Sequence, residues 1–210
     1  MNLSEIEKIL SAKILEIASG EDPAHDFLHF KRVVETAKKL CLIEKAKMEV
    51  VLPAAWLHDF VIIAKNDPRR KEASKLSASA AVEFLKQNNY PEIYLNEIAH
   101  AIEAHSFSAG IEPRTVEAGI VQDADRLDAL GAIGVARCFA TAGLMQRSFY
   151  SEIDPLCVSR PPDDNQFTID HFYKKLFLIA DSLKTNAGRT EGAKRVLVMK
   201  KFLSDLKSEI

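Results

Sequence analysis

Cysteine is scarce in this chain, and no two cysteines form a short motif. Cys41, Cys138 and Cys157 are widely separated, and none belongs to a CxxC pair. An odd, sparse set of thiols argues against a disulfide framework and favours reduced thiols in a cytoplasm. We therefore interpret the three cysteines as packing residues.

Long apolar runs and strongly basic segments are also lacking. No stretch approaches the roughly 20 apolar residues needed to span a bilayer. The first ten residues, MNLSEIEKIL, carry acids and lack the apolar core of a signal peptide. The formal net charge is -2 and the pI is about 6.3, so a nucleic-acid-binding surface is not favoured. These absences predict a cytoplasmic protein with neither a membrane nor a nucleic acid as partner.

Glycine and proline number only eight each and lie mostly between segments of helical apolar spacing. No alternating pattern of convincing length predicts a strand. With 210 residues, of which 47% are hydrophobic and 28% charged, the chain is long enough for one domain with a sizeable core. The sequence therefore predicts a single all-α domain. The expected helices cover about 3–17, 23–40, 46–62, 71–86, 92–105, 115–134, 135–145, 168–185 and 190–208, with a long loop over 148–166.

The stretch AAWLHDF, residues 54–60, places His58 and Asp59 at the end of an apolar run. A buried carboxylate without a partner costs several kcal/mol, or its pKa shifts until it is neutral. The pair therefore requires a proton, another side chain or a metal ion as its partner.

Other segments offer further ligands. His29 is in phase with the apolar positions that follow it, so it should face the interior. Asp123, Asp125 and Asp128 lie within six residues on an otherwise apolar segment, and the last two share a helix face. Two imidazoles with two carboxylates suit Mn²⁺, Fe²⁺, Co²⁺, Ni²⁺ or Zn²⁺ better than Ca²⁺. The alternative is a hydrogen-bonded core histidine and helix-capping acids.

The pattern H…HD…D resembles the signature of the HD superfamily of metal-dependent phosphohydrolases. The segments AHDFLHFKRV, LHDFVIIAKNDPRR, HAIEAHSFS, QDADRLDALGAIGVAR and RPPDDNQ resemble a branch of small, stand-alone bacterial HD proteins. The likeness extends over nearly the whole chain. It implies a single HD-domain helical bundle over 1–210, with a metal-site core at about 22–130 and C-terminal helices over 131–210 packed on it.

The resemblance also implies one divalent metal ion, either Mn, Mg, Ni, Co, Fe or Zn. Its implied ligands are His29, His58, Asp59 and Asp125. Asp125 is preferred to Asp123 because ADRL, residues 124–127, is similar to the last motif of the superfamily.

Members of this branch resemble enzymes that hydrolyse nucleoside or deoxynucleoside triphosphates to a monophosphate and pyrophosphate. The partner would then be a small phosphate ester or nucleotide, bound by a monomer or a homodimer. One subgroup, the guanosine-tetraphosphate hydrolases, carries acids shortly after the HD pair, whereas none occurs here before Asp67. This difference argues against guanosine tetraphosphate as the substrate. The alternatives are a nucleotide phosphomonoesterase or phosphodiesterase, a di-iron oxygenase using His100 and His105, and a non-catalytic nucleotide sensor.

Candidate residues outside the ligand set follow from position and charge. Lys65 is two helical turns after His58 and could bind phosphate if the helix continues that far, or else be a solvated lysine. Arg126 could clamp a phosphate or pair with an acid. His105, at a helix end, is expected to contact phosphate or donate a proton. Asp26 and Asp128 are expected to support the metal ligands, with helix capping the alternative for Asp26.

Overall fold

The computed structural model describes residues 2–18, 26–63, 67–106 and 109–210. The described residues are all-α, as predicted, and contain one isolated β-bridge, between Ser148 and Phe167, but no strand. The α-helices are α1 Leu3–Ile17, α2 Phe27–Glu44, α3 Met48–Leu57, α4 Ala73–Gln87, α5 Leu95–His105, α6 Val116–Leu127, α7 Gly131–Leu144, α8 Phe177–Asp181 and α9 Asn186–Glu209. Short 3₁₀-helices cover Pro68–Glu72 and Glu92–Tyr94, and a π-helix covers Phe172–Leu176.

The chain divides into two compact units. The first unit contains Met1–Asp125 and Lys184–Gly188, and the second contains Arg126–Leu183 and Arg189–Ile210. No single described helix is long and apolar enough to cross a membrane, and α6 and α7 pass that test of length and composition only as a broken pair.

In the first unit, α3 is the central helix. It packs against α1, α2 and α5, and every residue from Val50 to Leu57 is buried. A helix that is apolar on all sides is stable in water only when neighbouring helices cover it. Both His58 and Asp59 directly follow this helix, so its packing fixes their positions.

Side chains cap the starts of the first two helices. Asn2 and Glu5 form a reciprocal capping box at the start of α1, which buries Ile6, Leu10 and Ile14 on one face. Asp26 caps α2 by accepting a hydrogen bond from the backbone N–H of His29 at 2.8 Å. The cap predicted at Asp22-Pro23 lies outside the described residues.

Two predicted helices were too long. The third ends at Leu57, not near Ile62, so the helical spacing from His58 to Lys65 does not hold. The sixth ends at Leu127 and a new helix begins at Gly131, where a continuous helix was expected. Gly131 has φ +71°, a backbone conformation that favours glycine and interrupts a right-handed helix.

The loop predicted over 148–166 belongs to the second unit and is ordered by two carboxylates. Asp154 accepts hydrogen bonds from the backbone N–H groups of Val158, Ser159 and Arg160 at 2.7 to 3.1 Å. The Arg160 guanidinium forms a bidentate pair with Asp170, whose second contact measures 2.8 Å. A cluster of phenylalanines packs in the same unit, namely Phe139, Phe149, Phe172 and Phe202.

A third carboxylate, Asp123, joins segments of the first unit that are far apart in sequence. It is fully buried on α6 and accepts hydrogen bonds from the backbone N–H groups of Lys184 and Thr185, both at 2.8 Å, and from the Thr185 hydroxyl at 2.7 Å. Gly188 passes so close that a Cβ atom there would lie 2.2 Å from Asp123 Oδ2. Asp123 therefore has a structural role, and the absence of a side chain at residue 188 is part of it.

We expect Gly188→Ala to lower the free energy of unfolding by about 1–3 kcal/mol, because the new methyl group must displace the Asp123 carboxylate. Urea unfolding measures this change. Gly143→Ala is the matched control, since a Cβ at that helical glycine meets nothing within 4 Å. The control should be neutral or stabilising by up to about 1 kcal/mol. Equal stability of the two variants would contradict the packing of Gly188 on Asp123.

The hydrogen bonds to Asp154 predict acid sensitivity of the second unit. The backbone N–H groups of Ser159 and Val158, opposed by burial, lower the pKa of Asp154 to about 2. In an unfolded chain the pKa is about 3.9, so this stabilisation is complete above about pH 4 and is lost as the pH falls toward 2. Urea unfolding between pH 5 and 2 should show a shallower decline for Asp154→Ala than for wild type. Asp181→Ala, an exposed carboxylate in α8, should keep the wild-type slope.

Candidate metal centre

Three helices of the first unit present histidines toward one another. His29 is in the first turn of α2, His58 directly follows α3, and His105 is the last residue of α5. All three are buried, with at most 4% of each residue exposed. The ring centroids of His29 and His58 are 5.4 Å apart, and those of His58 and His105 are 5.0 Å apart.

A helix end fixes the orientation of two of these rings. His58 Nδ1 donates to the carbonyl oxygen of Ala55 at 2.8 Å, and His105 Nδ1 donates to that of Ile102 at 2.6 Å. The last carbonyl groups of a helix have no partner within the helix, so a histidine at its end can satisfy one of them. In each neutral ring, Nε2 then carries the lone pair and points away from its own helix.

Two carboxylates meet the Nε2 atoms. Asp125 Oδ1 is 3.6 Å from His29 Nε2 and 4.0 Å from His58 Nε2. Asp59 lies between the other two rings, with Oδ2 3.7 Å from His58 Nε2 and Oδ1 3.5 Å from His105 Nε2. His58 Nε2 therefore has both carboxylates within 4.0 Å.

Burial lowers the pKa values of His58 and His105, and the neighbouring carboxylates raise them. Burial lowers the pKa of His58 to about 4, although Asp59 and Asp125 oppose the shift. The ring of His58 is therefore neutral at pH 7, as a metal ligand must be. Burial also lowers the pKa of His105, but Asp59, followed by Asp125 and the Ile102 carbonyl, more than compensates, so that the pKa of His105 is raised.

The residues fit a divalent cation. Ligand atoms of His29, His58 and Asp125 all lie within 4.8 Å of one another. Two atoms bound at about 2.0–2.2 Å to one ion are about 3 to 4.4 Å apart. The contacts of Asp125 Oδ1 with Nε2 of His29, 3.6 Å, and of His58, 4.0 Å, lie within that range. In addition, His58 Nε2 is buried and has no hydrogen-bond partner among the described residues. A buried lone pair without a donor is costly unless a cation binds it. Asp59 borders this set and supplies the second predicted carboxylate.

The predicted supporting residues have other contacts. The hydrogen bond described for Asp26 is to the backbone of His29, which is the capping alternative. Asp128 pairs with Arg137, from Nη1 to Oδ2 at 2.5 Å, within the second unit. Arg126 donates from Nη1 to the Ser182 carbonyl and hydroxyl oxygens, also in the second unit. Roles for these residues in metal or substrate binding stay predictions.

Two further candidates, Lys65 and His100, are not part of the described cluster. Lys65 lies outside the described residues. His100 is outside the cluster because its Nε2 accepts a hydrogen bond from the backbone N–H of Arg114 at 2.9 Å. The carbonyl oxygens of Ala55 and Ile102 were missed from sequence, since any residue provides a carbonyl and only the positions of the helix ends reveal these two.

Comparison with known proteins agrees with this geometry. The HD domain family matches residues 27–130, which include all four predicted ligands. Over 201 residues the chain is 30% identical to YpgQ of Bacillus subtilis, an uncharacterized protein, covering 94% of this chain and 90% of YpgQ. The chain belongs to the HD superfamily.

Solved HD structures match the chain over almost its full length. A crystal structure of Bacillus subtilis YpgQ in complex with ADP has a TM-score of 0.77 at 27% identity, covering 99% of this chain and 96% of that one. An HD-superfamily hydrolase from Bacillus thuringiensis has a TM-score of 0.77 at 30% identity, covering 98% and 97%. The fold and the HD motif are thus shared with hydrolases of this superfamily.

We expect Mn²⁺ to stabilise the protein through this centre. A metal at 100 times its Kd adds about 2.7 kcal/mol to the free energy of unfolding. Thermal unfolding of metal-stripped protein, with and without Mn²⁺, measures the gain. Asp125→Asn should abolish most of it, because the amide keeps the shape but not the charge of the ligand.

The matched control is Asp205→Asn in α9, where Asp205 pairs with Lys201 on the surface. This variant should keep the full response to Mn²⁺. An undiminished response in Asp125→Asn would show that the ion binds elsewhere.

Proposed function

We propose that this HD protein is a metal-dependent phosphohydrolase that converts nucleoside or deoxynucleoside triphosphates to a monophosphate and pyrophosphate. The observation that carries the proposal is the buried Nε2 of His58, which has no hydrogen-bond partner among the described residues and lies beside the carboxylates of Asp59 and Asp125. The same ligand set would hold one divalent ion, with His29 as the fourth member.

A divalent ion held by these residues would supply Lewis-acid chemistry, which polarises a phosphoryl oxygen and lowers the pKa of bound water. The protein's own contribution is to orient the ligands and to exclude water from the buried side. Ala55 holds His58 in one tautomer, and Asp26 fixes the first turn of the helix that carries His29. Nitrogen and oxygen donors together are compatible with Mn²⁺, Co²⁺, Ni²⁺, Fe²⁺, Zn²⁺ and Mg²⁺.

His105 is suited to act on the substrate. Its Nδ1 is occupied by the Ile102 carbonyl, so Nε2 is the nitrogen that faces Asp59 and the ligand cluster. With Nε2 also protonated, the ring would contact a phosphate oxygen or donate that proton to the leaving group. Asp59 serves as a ligand and also orients His105.

A nucleotide is the favoured substrate class because the related YpgQ was crystallised with ADP. YpgQ and this chain match over nearly their full lengths, which supports a nucleotide as the ligand here too. The choice of a triphosphate substrate rests on the resemblance of the motifs to the pyrophosphate-releasing branch.

The test uses metal-stripped protein reloaded separately with Mn²⁺, Mg²⁺, Co²⁺ and Ni²⁺. Each sample is incubated with nucleoside and deoxynucleoside tri- and monophosphates, and pyrophosphate is separated from orthophosphate. We expect a monophosphate plus pyrophosphate. Asp59→Asn should reduce the rate by about 100-fold or more, and His105→Gln should reduce kcat by about 100-fold.

His100→Gln is the control, since His100 lies outside the cluster and its contact is with the Arg114 backbone. It should keep the wild-type rate. A metal-to-protein ratio near one would remove the oxygenase alternative, which needs a second metal ion at His100 and His105. Orthophosphate released from monophosphates would instead identify a nucleotidase. Nucleotide binding without turnover under every metal would identify a sensor.

A further inference from the structure

Gln122 is a buried amide on the helix that supplies Asp125. Only 2% of this residue is exposed, and it precedes Asp125 by three positions on α6. Residues three apart lie on the same side of a helix, one turn from each other. A displacement of Gln122 therefore also displaces Asp125.

The amide of Gln122 binds the end of a different helix. Its Nε2 donates to the carbonyl oxygen of Ala104 at 2.6 Å. A carbonyl group only accepts hydrogen bonds, so the nitrogen of the amide must face it. Ala104 directly precedes His105, at the end of α5 where carbonyl groups lack partners within the helix. The hydrogen bond thus connects the turn before Asp125 to the turn that ends in His105.

The rest of the amide is energetically unfavourable. Oε1 of Gln122 is buried and has no hydrogen-bond partner among the described residues. A buried acceptor without a donor opposes folding. Methionine has a similar length and would fill the same space without this penalty. Packing alone therefore does not account for a glutamine at this position.

We propose that Gln122 is a positioning residue that sets the distance between Asp125 and His105. Its hydrogen bond to Ala104 holds the last turn of α5 against α6. His105, the next residue, keeps its Nε2 3.5 Å from Asp59 Oδ1. The two side chains on either side of the reaction centre then keep a fixed separation. The effect on catalysis rests on the proposed function, but the effect on metal binding does not.

The test compares Gln122→Met with Tyr90→Phe. Tyr90 is a matched control because its buried hydroxyl also donates to a helix carbonyl of the first unit, that of Glu49 at 2.7 Å, away from the ligand cluster. Three quantities are measured for each protein. They are the melting temperature without metal, the Kd for Mn²⁺ by titration of the stripped protein, and kcat and KM for a nucleoside triphosphate at saturating Mn²⁺.

We expect the melting temperature of Gln122→Met to stay near that of wild type, because removal of the buried Oε1 offsets the loss of the hydrogen bond to Ala104. Its Kd for Mn²⁺ should rise by about tenfold, the lower end of the effect of losing a group that orients a ligand. Its kcat should fall about tenfold with little change in KM. Tyr90→Phe should lower the melting temperature, because it removes the hydrogen bond to Glu49, and should change neither Kd nor kcat.

Gln122→Asn is the second variant, in case Gln122→Met does not fold. It keeps the amide but is one methylene too short, and its Kd should rise by a smaller factor. A Kd and a kcat within twofold of wild type in the folded Gln122 variants would overturn the proposal. An equal rise in Kd and an equal fall in kcat in Tyr90→Phe would also overturn it. If wild type hydrolyses no nucleotide, the proposed function fails, while the comparison of Kd values still decides the role of Gln122.

Discussion

The candidate centre depends on two hydrogen bonds of the same kind, one at each of two helix ends. At the ends of α3 and α5, a histidine donates its Nδ1–H to the carbonyl group three residues earlier. The bond satisfies a carbonyl that the helix leaves without a partner, and it selects the tautomer of the ring. It also directs Nε2 toward Asp59, which lies within 3.7 Å of both nitrogens. Secondary structure thereby determines where the ligand atoms point.

Burial then makes the centre selective for a cation. His29 and His58 are at most 1% exposed, and burial lowers the pKa of His58 to about 4, so a proton is a poor partner for its Nε2. A divalent ion satisfies the imidazole lone pairs and the carboxylates together, which no single protein donor among the described residues does. This account explains why polar side chains occur at the end of the fully apolar helix α3.

The sequence was sufficient for the helical class, because apolar periodicity is a local signal. It also grouped His29, His58 and Asp125, and the structure brings one nitrogen or oxygen atom of each within 4.8 Å of the others. The helix ends were less predictable. The break before Gly131 depends on a positive φ angle, and α3 ends at Leu57 although no glycine or proline follows within five residues. The roles of Asp123 and Gln122 were not recognised, because these side chains bind backbone groups that are distant in sequence.

The central claim is that one divalent ion binds between His29, His58, Asp59 and Asp125. Crystals grown with Mn²⁺, with data collected above and below the manganese absorption edge, locate the ion directly. The account predicts one anomalous peak at bonding distance from Nε2 of His29 and His58 and from the carboxylates, with Nδ1 of His58 and His105 still bound to the carbonyl oxygens of Ala55 and Ile102. A peak elsewhere, or coordination through His58 Nδ1, would contradict it.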